Sequence, residues 1–253
     1  MTVIMLFVAC SGKTEQKTPI QIQNLENPTS DGARYPNLYA DNKNHGVMSW
    51  LSSVDNAEMA LNFASFSDGV WVNQGRVHTG GDFFVNWADF PSVVSLNGKP
   101  VAAHWLKKVD GGTFAYHVQL AFYSEDGGWT EPITPHLDRS PTEHGFVSLL
   151  PLAENRVLAV WLDGRKTAGR PHNSHDDQGV DGKSDLSHAM TLRSAEITSD
   201  GQILRKNVID EAVCDCCQTA LHSNGSHAFV VYRDRTENEI RDISIARYDF
   251  ETG

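Results

Sequence analysis

Four stretches of the chain close in the same way, and this repetition constrains the fold more than any single motif does. They read PNLYADNKNHGVMSW, PSVVSLNGKPVAAHW, VSLLPLAENRVLAVW and QTALHSNGSHAFVVY, and they end at Trp50, Trp105, Trp161 and Tyr232. Each holds a short apolar strand, a polar turn and a second strand closing on an aromatic ring. The closing residues lie 55, 56 and 71 positions apart. Every copy continues into two further strands with a glycine-bearing turn, SDG, EDGG, SDG and ETG in chain order. A repeat of this length made of four strands is the mark of a β-propeller, with one sheet per blade.

A single blade cannot bury both faces of its sheet and is stable only between neighbours. The expectation is therefore an all-β propeller over residues 34–253, six-bladed in full, with about four blades present here. A complete four-bladed ring is the alternative. The longest interval is accounted for by an insertion over Lys166–Ser187, which has no periodicity and belongs on a loop. Hydrophobic content of 40% and charged content of 21% are ordinary for a soluble globular protein. A net charge of −11 argues against nucleic acid as a partner, since that role normally needs a basic face.

Residues 1–10 form an apolar run ending in Ala9-Cys10, which resembles a bacterial lipoprotein signal. The resemblance implies export and lipidation of Cys10, with a membrane anchor and a location at the outer membrane, periplasmic or surface-facing. Residues 11–33 then read as a polar tether. The alternative is a core strand that ends in cysteine.

Ser124-Glu125-Asp126-Gly127-Gly128-Trp129 resembles a shortened Asp-box hairpin, and Ser65 to Trp71 is a more degenerate copy. Further segments extend the likeness: Asn86-Trp87-Ala88-Asp89-Phe90-Pro91-Ser92, Glu143-His144-Gly145-Phe146, Trp161-Leu162-Asp163-Gly164-Arg165, Cys214-Asp215-Cys216-Cys217-Gln218-Thr219 and Tyr232-Arg233-Asp234-Arg235. Together they resemble the bacterial sialidase-like (BNR-repeat) propellers, in particular a lipid-anchored subgroup. What this implies is an exo-α-sialidase-like glycoside hydrolase acting on a sialic-acid-like glycan, with no cofactor.

In that family three arginines grip the sugar carboxylate, because a guanidinium fork matches a carboxylate in two hydrogen bonds. A tyrosine activated by a glutamate attacks the anomeric carbon, and an aspartate acts as acid/base. Arg34-Tyr35-Pro36 resembles the motif that supplies the first arginine. Arg165, Arg233, Arg235 and Arg241 are the other substrate-binding candidates, with His144. Their alternative role is an ion-pair network bracing a blade. Asp89, Asp82 and Glu143 are the catalytic candidates, and turn or capping roles stand beside that reading. No tyrosine is assigned as nucleophile, since the resemblance puts it in a late blade.

Cys214, Cys216 and Cys217 read first as part of a disulfide framework and second as a soft-metal site. His172, His175, Asp176 and Asp177 in the insertion are either a divalent-ion site or a solvated loop. Two further functions stay open: a non-catalytic propeller binding a glycan or protein, and a metal-binding propeller built on the cysteine segment. Three arginines meeting in one pocket favour hydrolysis, and cysteine or histidine side chains meeting at metal-bond distance favour metal.

Overall fold

Alternation of apolar and polar residues commits each repeat to strands with one side-chain set on each face. The computed structural model describes residues 20–41, 43, 45–55, 57–169 and 183–251, and among them there is no α-helix. The strands form four antiparallel sheets in chain order. The first holds β1 (Arg34–Ala40), β2 (Gly46–Ser53), β3 (Met59–Ser67) and β4 (Val70–Gly80). The second opens with the two-residue β5 (Phe83–Phe84) and continues through β6 (Ser92–Leu96), β7 (Lys99–Lys108), β8 (Tyr116–Ser124) and β9 (Gly128–Trp129). The third holds β10 (His144–Ala153), β11 (Arg156–Asp163), β12 (Met190–Thr198) and β13 (Ile203–Val213). The fourth holds β14 (Ala220–Ser223), β15 (His227–Arg233) and β16 (Ile243–Asp249).

Each seam between successive sheets is a hydrophobic core. Val47, Leu61 and Phe63 of the first sheet pack on Val93, Ala103 and Trp105 of the second. Leu106, Tyr116 and Phe122 meet Val147, Leu149 and Trp161 at the next seam. Phe146, Val160 and Leu192 meet Val230, Tyr232 and Tyr248 at the last. The described residues thus form four blades in a β-propeller arrangement. The four closing aromatics sit on the second strand of their blades and are all buried. The outer face of the fourth sheet is uncovered, with Ile243 and Ile245 71% and 66% exposed.

Gly127 donates its N–H to the Ser124 hydroxyl at 3.1 Å, and Trp129 packs edge-on against Phe63 of the neighbouring blade. The insertion is bounded by short 3-10 turns at Arg165–Thr167 and Leu186–His188. His172, His175, Asp176 and Asp177 lie outside the described residues, as do Cys10 and the whole of 1–19. Residues 20–33 of the expected tether contain no strand, and Glu26 accepts the Trp71 indole N–H at 2.7 Å.

Antiparallel pairing fixes which loops share an end. The turns within each hairpin pair, such as β1–β2 and β3–β4, lie at one end. The β2–β3, β7–β8, β11–β12 and β15–β16 loops lie at the other, together with the connections from blade to blade. Every candidate residue described is at this loop end. An axial cavity of about 380 Å³ lies at the turn end, lined by Tyr39, Asn97, Leu152 and His222, one from each blade.

Trp105 is 1% exposed and stacks on His78 at 4.6 Å. Trp105→Ala is expected to cost about 3–5 kcal/mol, seen as a lower urea midpoint with an unchanged slope.

Candidate functional site at the loop end

Two innermost strands begin with the same irregularity. In β1 the register shifts between Arg34 and Asn37, and Tyr35 has φ 57°. In β10 it shifts between Gly145 and Ser148, and Phe146 has φ 52°. Left-handed backbone at a residue with a Cβ costs about 1–2 kcal/mol, and bulges of this kind re-aim side chains near functional sites. Both are held by the segment Asn86–Pro91. Asn86 Oδ1 accepts the N–H groups of Ala88 and Asp89, each at 2.7 Å, and so shapes the turn. Asp89 Oδ2 accepts the Phe146 N–H at 2.6 Å, and the Phe90 ring lies 5.6 Å from that of Tyr35. A Cβ on Gly145 would stand 2.2 Å from Asp89 Oδ2, so only glycine fits there.

Asp89 is wholly buried. Burial, aided by the nearby Glu143 charge and opposed by the Phe146 N–H, raises its carboxyl pKa to about 7. Tyr116, also wholly buried, stacks on Phe84 at 3.9 Å and donates its hydroxyl proton to Glu143 Oε1. Burial, then the charges of Glu143 and Asp89, push the phenol pKa far above its ordinary value. This is the reverse of a phenol prepared to ionise. Glu143 itself is half-buried at the head of β10.

Next to this lies a nest of three buried histidines from β8, the β9–β10 connection and β10. His136 and His144 stack at 4.0 Å and 7°, and His117 meets each edge-on at 5.0 Å. Imidazole lone pairs lie in the ring plane, so two parallel stacked rings do not aim at one ion. In this arrangement the trio is packing and not a chelate, although its nitrogens are close. Burial lowers all three pKa values, that of His136 to about 3. His144 Nε2 is 3.1 Å from Asp138 and 3.8 Å from Asp163. Asp163, wholly buried, receives Arg165 through two bonds of 2.6 and 2.7 Å and the Trp161 indole at 3.0 Å. Burial opposes its ionisation, but Arg165, His144 and Trp161 outweigh that and hold it at about 2.

A second nest occupies the seam between the third and fourth blades. Cys214 follows β13 and its N–H bonds the Arg233 carbonyl at 2.9 Å. The turn beyond it brings the three sulfurs together: 3.3 Å for Cys214–Cys216, 3.9 Å for Cys214–Cys217 and 3.8 Å for Cys216–Cys217. All three are free thiols and form no disulfide with one another; their sulfurs stand well beyond the ~2.05 Å bond length. Arg233 Nη1 approaches Cys217 and Cys214 at 3.6 and 3.9 Å, and Arg241 Nη1 approaches Cys214 at 3.8 Å. Burial works to raise the Cys214 thiol pKa, but hydrogen bonds from Cys216, Arg241 and Cys217 outweigh it and leave it lowered. Burial and the other two sulfurs raise that of Cys216.

The remaining candidates are placed as follows. Arg235 and Arg241 both fork onto Glu239, at 2.7–3.0 Å. Arg165 is committed to Asp163, as above. Arg34 is exposed at the head of β1, and Asp82 is half-exposed with Lys107 at 3.2 Å. The loop end therefore gathers the candidates but does not present three open arginines. Gln218 Nε2 donates to the Ala88 carbonyl at 2.6 Å, tying the cysteine turn to the Asn86–Pro91 segment. Trp87, on that segment, is 83% exposed.

Sequence reasoning missed Tyr116, His117, His136 and the hub role of Asp163. They come together from separate connections, and no local spacing announces them. Trp87 carried a usable signal, an aromatic residue inside a polar Asn-Asp turn.

No protein-family model matches the sequence, and no curated protein matches it. Among solved structures the chain is similar to a neuraminidase-like protein from A/bat/Guatemala/164/2009, with 9% identity, a TM-score of 0.48, and 87% of this chain and 53% of that one covered. It is similar to the Hadza microbial sialidase Hz136, with 14% identity, a TM-score of 0.45, and 86% and 46% covered. It is also similar to the GH43_1 enzyme from Xanthomonas citri complexed with xylotriose, with 13% identity, a TM-score of 0.44, and 87% and 71% covered. The chain thus spans about half the length of the first two.

The buried imidazoles set a pH dependence. His104 and His136 are lowered to about 3, and His117 and His144 are lowered as well. A folded value below the unfolded one (about 6.5) means that protons favour the unfolded chain, so stability falls as pH drops below about 6.5. Asp89 has the opposite sign, since its raised pKa favours the fold at low pH and is lost as pH climbs through about 7. Burial lowers His78 too, and five imidazoles against one carboxyl predict a lower urea midpoint at about pH 5.5 than at about pH 7.5. A flat or inverted profile contradicts the neutral histidine nest.

Proposed function

We propose that the loop end of this propeller recognises an acidic glycan, with Trp87 as the stacking platform. The exposure of Trp87 carries the reading. The two residues that follow it are pinned, Ala88 by Gln218 and Asp89 by Phe146. A solvent-facing indole offers a flat apolar surface to a sugar ring. The same cysteine turn that contacts Ala88 touches Arg233 and Arg241. Arg233, which lies against sulfur, supplies the positive charge that a sugar carboxylate needs, whereas Arg241 is shared with Glu239. We include in this proposal the lipid anchor at Cys10, which would set the glycan at the cell envelope.

Sialidase-like hydrolysis is the second reading, favoured by the Tyr116–Glu143 hydrogen bond. Binding is preferred because Tyr116 and Asp89 are wholly buried, and a buried group reaches no substrate.

Calorimetry with a sialylated oligosaccharide and its desialylated form tests both. Trp87→Ala is expected to weaken binding about tenfold, near 1.4 kcal/mol, with folding intact. Unchanged affinity removes Trp87 from the site. Cleavage of an aryl sialoside that is abolished by Glu143→Gln would replace binding by hydrolysis.

A further inference from the structure

We propose that Cys214, Cys216 and Cys217 form a three-thiolate site for one Cu(I) ion, with Arg233 and Arg241 as its charge partners. The geometry of the sulfurs is the first support. A triangle with sides of 3.3, 3.8 and 3.9 Å has its equidistant point about 2.1 Å from each corner. Metal–thiolate bonds are about 2.3 Å long. One ion therefore reaches all three sulfurs from just above their plane, without moving the turn.

Ligand number and softness choose the ion. Among the described residues, no histidine, aspartate, glutamate or fourth cysteine joins the group at comparable distance. Structural zinc sites almost always close with four protein ligands. Thiolates select soft ions, Cu(I) among them, and Cu(I) does not need the fourth ligand that structural zinc takes.

Charge supports the same assignment. Binding converts three thiols and Cu(I) into a complex of charge −2 and releases three protons to solvent, with no change of oxidation state. Arg233 lies against Cys217 and Cys214, and Arg241 against Cys214. The two guanidiniums offset part of that negative charge, Arg233 more fully than Arg241, which is shared with Glu239. Arg241 is itself oriented by Glu239 at 2.8 Å, and Arg233 by the Arg241 carbonyl at 2.8 Å. Cys216 is exposed at the loop end, which gives the ion a way in.

The site stands apart from the glycan reading, because metal retention is measured with no sugar present. The reduced full chain is titrated with Cu(I) under argon against the chelator bicinchoninate. Retention of one equivalent is expected, with only sulfur neighbours near about 2.3 Å by X-ray absorption. Cys216→Ser, at an exposed position, should keep the fold by circular dichroism and lose the ion, and Cys217→Ser should do the same. Arg241→Ala should weaken retention about tenfold as an outer partner. Failure to hold copper against the chelator overturns the proposal, as does retention unchanged in both serine variants. Displacement of Cu(I) by Zn(II), with a fourth non-sulfur neighbour, overturns the choice of ion.

Discussion

The structure depends on the fact that a four-stranded sheet has two faces and its own blade covers neither. Each seam must be filled by apolar side chains from two blades, as Val93 and Trp105 fill one with Leu61 and Phe63. Sheet-on-sheet packing of this kind leaves little room for polar groups in the middle of a seam. Polar chemistry is pushed to the strand ends. At the turn end short hairpins leave few side chains to place. At the loop end the blade-to-blade connections are long, and each must also fix where the next inner strand starts. Asn86–Pro91 shows how that is done. A side-chain-capped turn buries Asp89, whose carboxylate holds the Phe146 N–H and with it the bulge that starts β10.

Two seams end in different chemistry for a physical reason. Between the second and third blades, the loop-end groups are shielded from water. Imidazoles are held neutral, the Tyr116 phenol is protonated, and Asp89 is brought near half-protonation at neutral pH. Asp163, although buried, keeps its full charge by pairing with Arg165. A buried pair of this sort is costly to break and adds little net stability. Its effect is to fix the β11–β12 loop against His144. The arginine that resembles a carboxylate grip is thus committed to the protein's own carboxylate.

Much of the fold was legible because the repeat is a direct consequence of seam packing. The second strand of each blade is covered on both sides near its loop end, where a large aromatic residue fills the seam, and Trp50, Trp105, Trp161 and Tyr232 mark the blades. Turn glycines were legible for a similar reason, since Gly69, Gly128 and Gly201 have positive φ. The site was less so. Arg165, Arg233, Arg235 and Arg241 were readable as residue types, but their partners Asp163 and Glu239 are equally charged and nearby in sequence. Pattern alone does not tell an ion pair from an open ligand site. The histidine nest draws on positions 117, 136 and 144, and only the closing of β8 against β10 brings them together. The cysteine segment was the opposite case: its clustering in sequence already required proximity, and the structure added the sulfur triangle and the arginines.

The seam between the third and fourth blades is where a ligand would meet the molecule, and electrostatics explains the difference. Here polar groups face water: Cys216, Asp215 and Gln218 are exposed, and so is Trp87. Arg233 lies against soft sulfurs and not a carboxylate, so its positive charge is less fully cancelled than that of Arg165. Filling the sulfur triangle with an anionic metal complex would cancel it. The acidic-glycan proposal and the metal proposal are therefore coupled through the Arg233 guanidinium. With the thiols protonated, Arg233 is open to an outside anion, and with three thiolates beside it, it is not. Occupancy of the cysteine nest would then weaken attraction for an anionic sugar while leaving the indole platform unchanged.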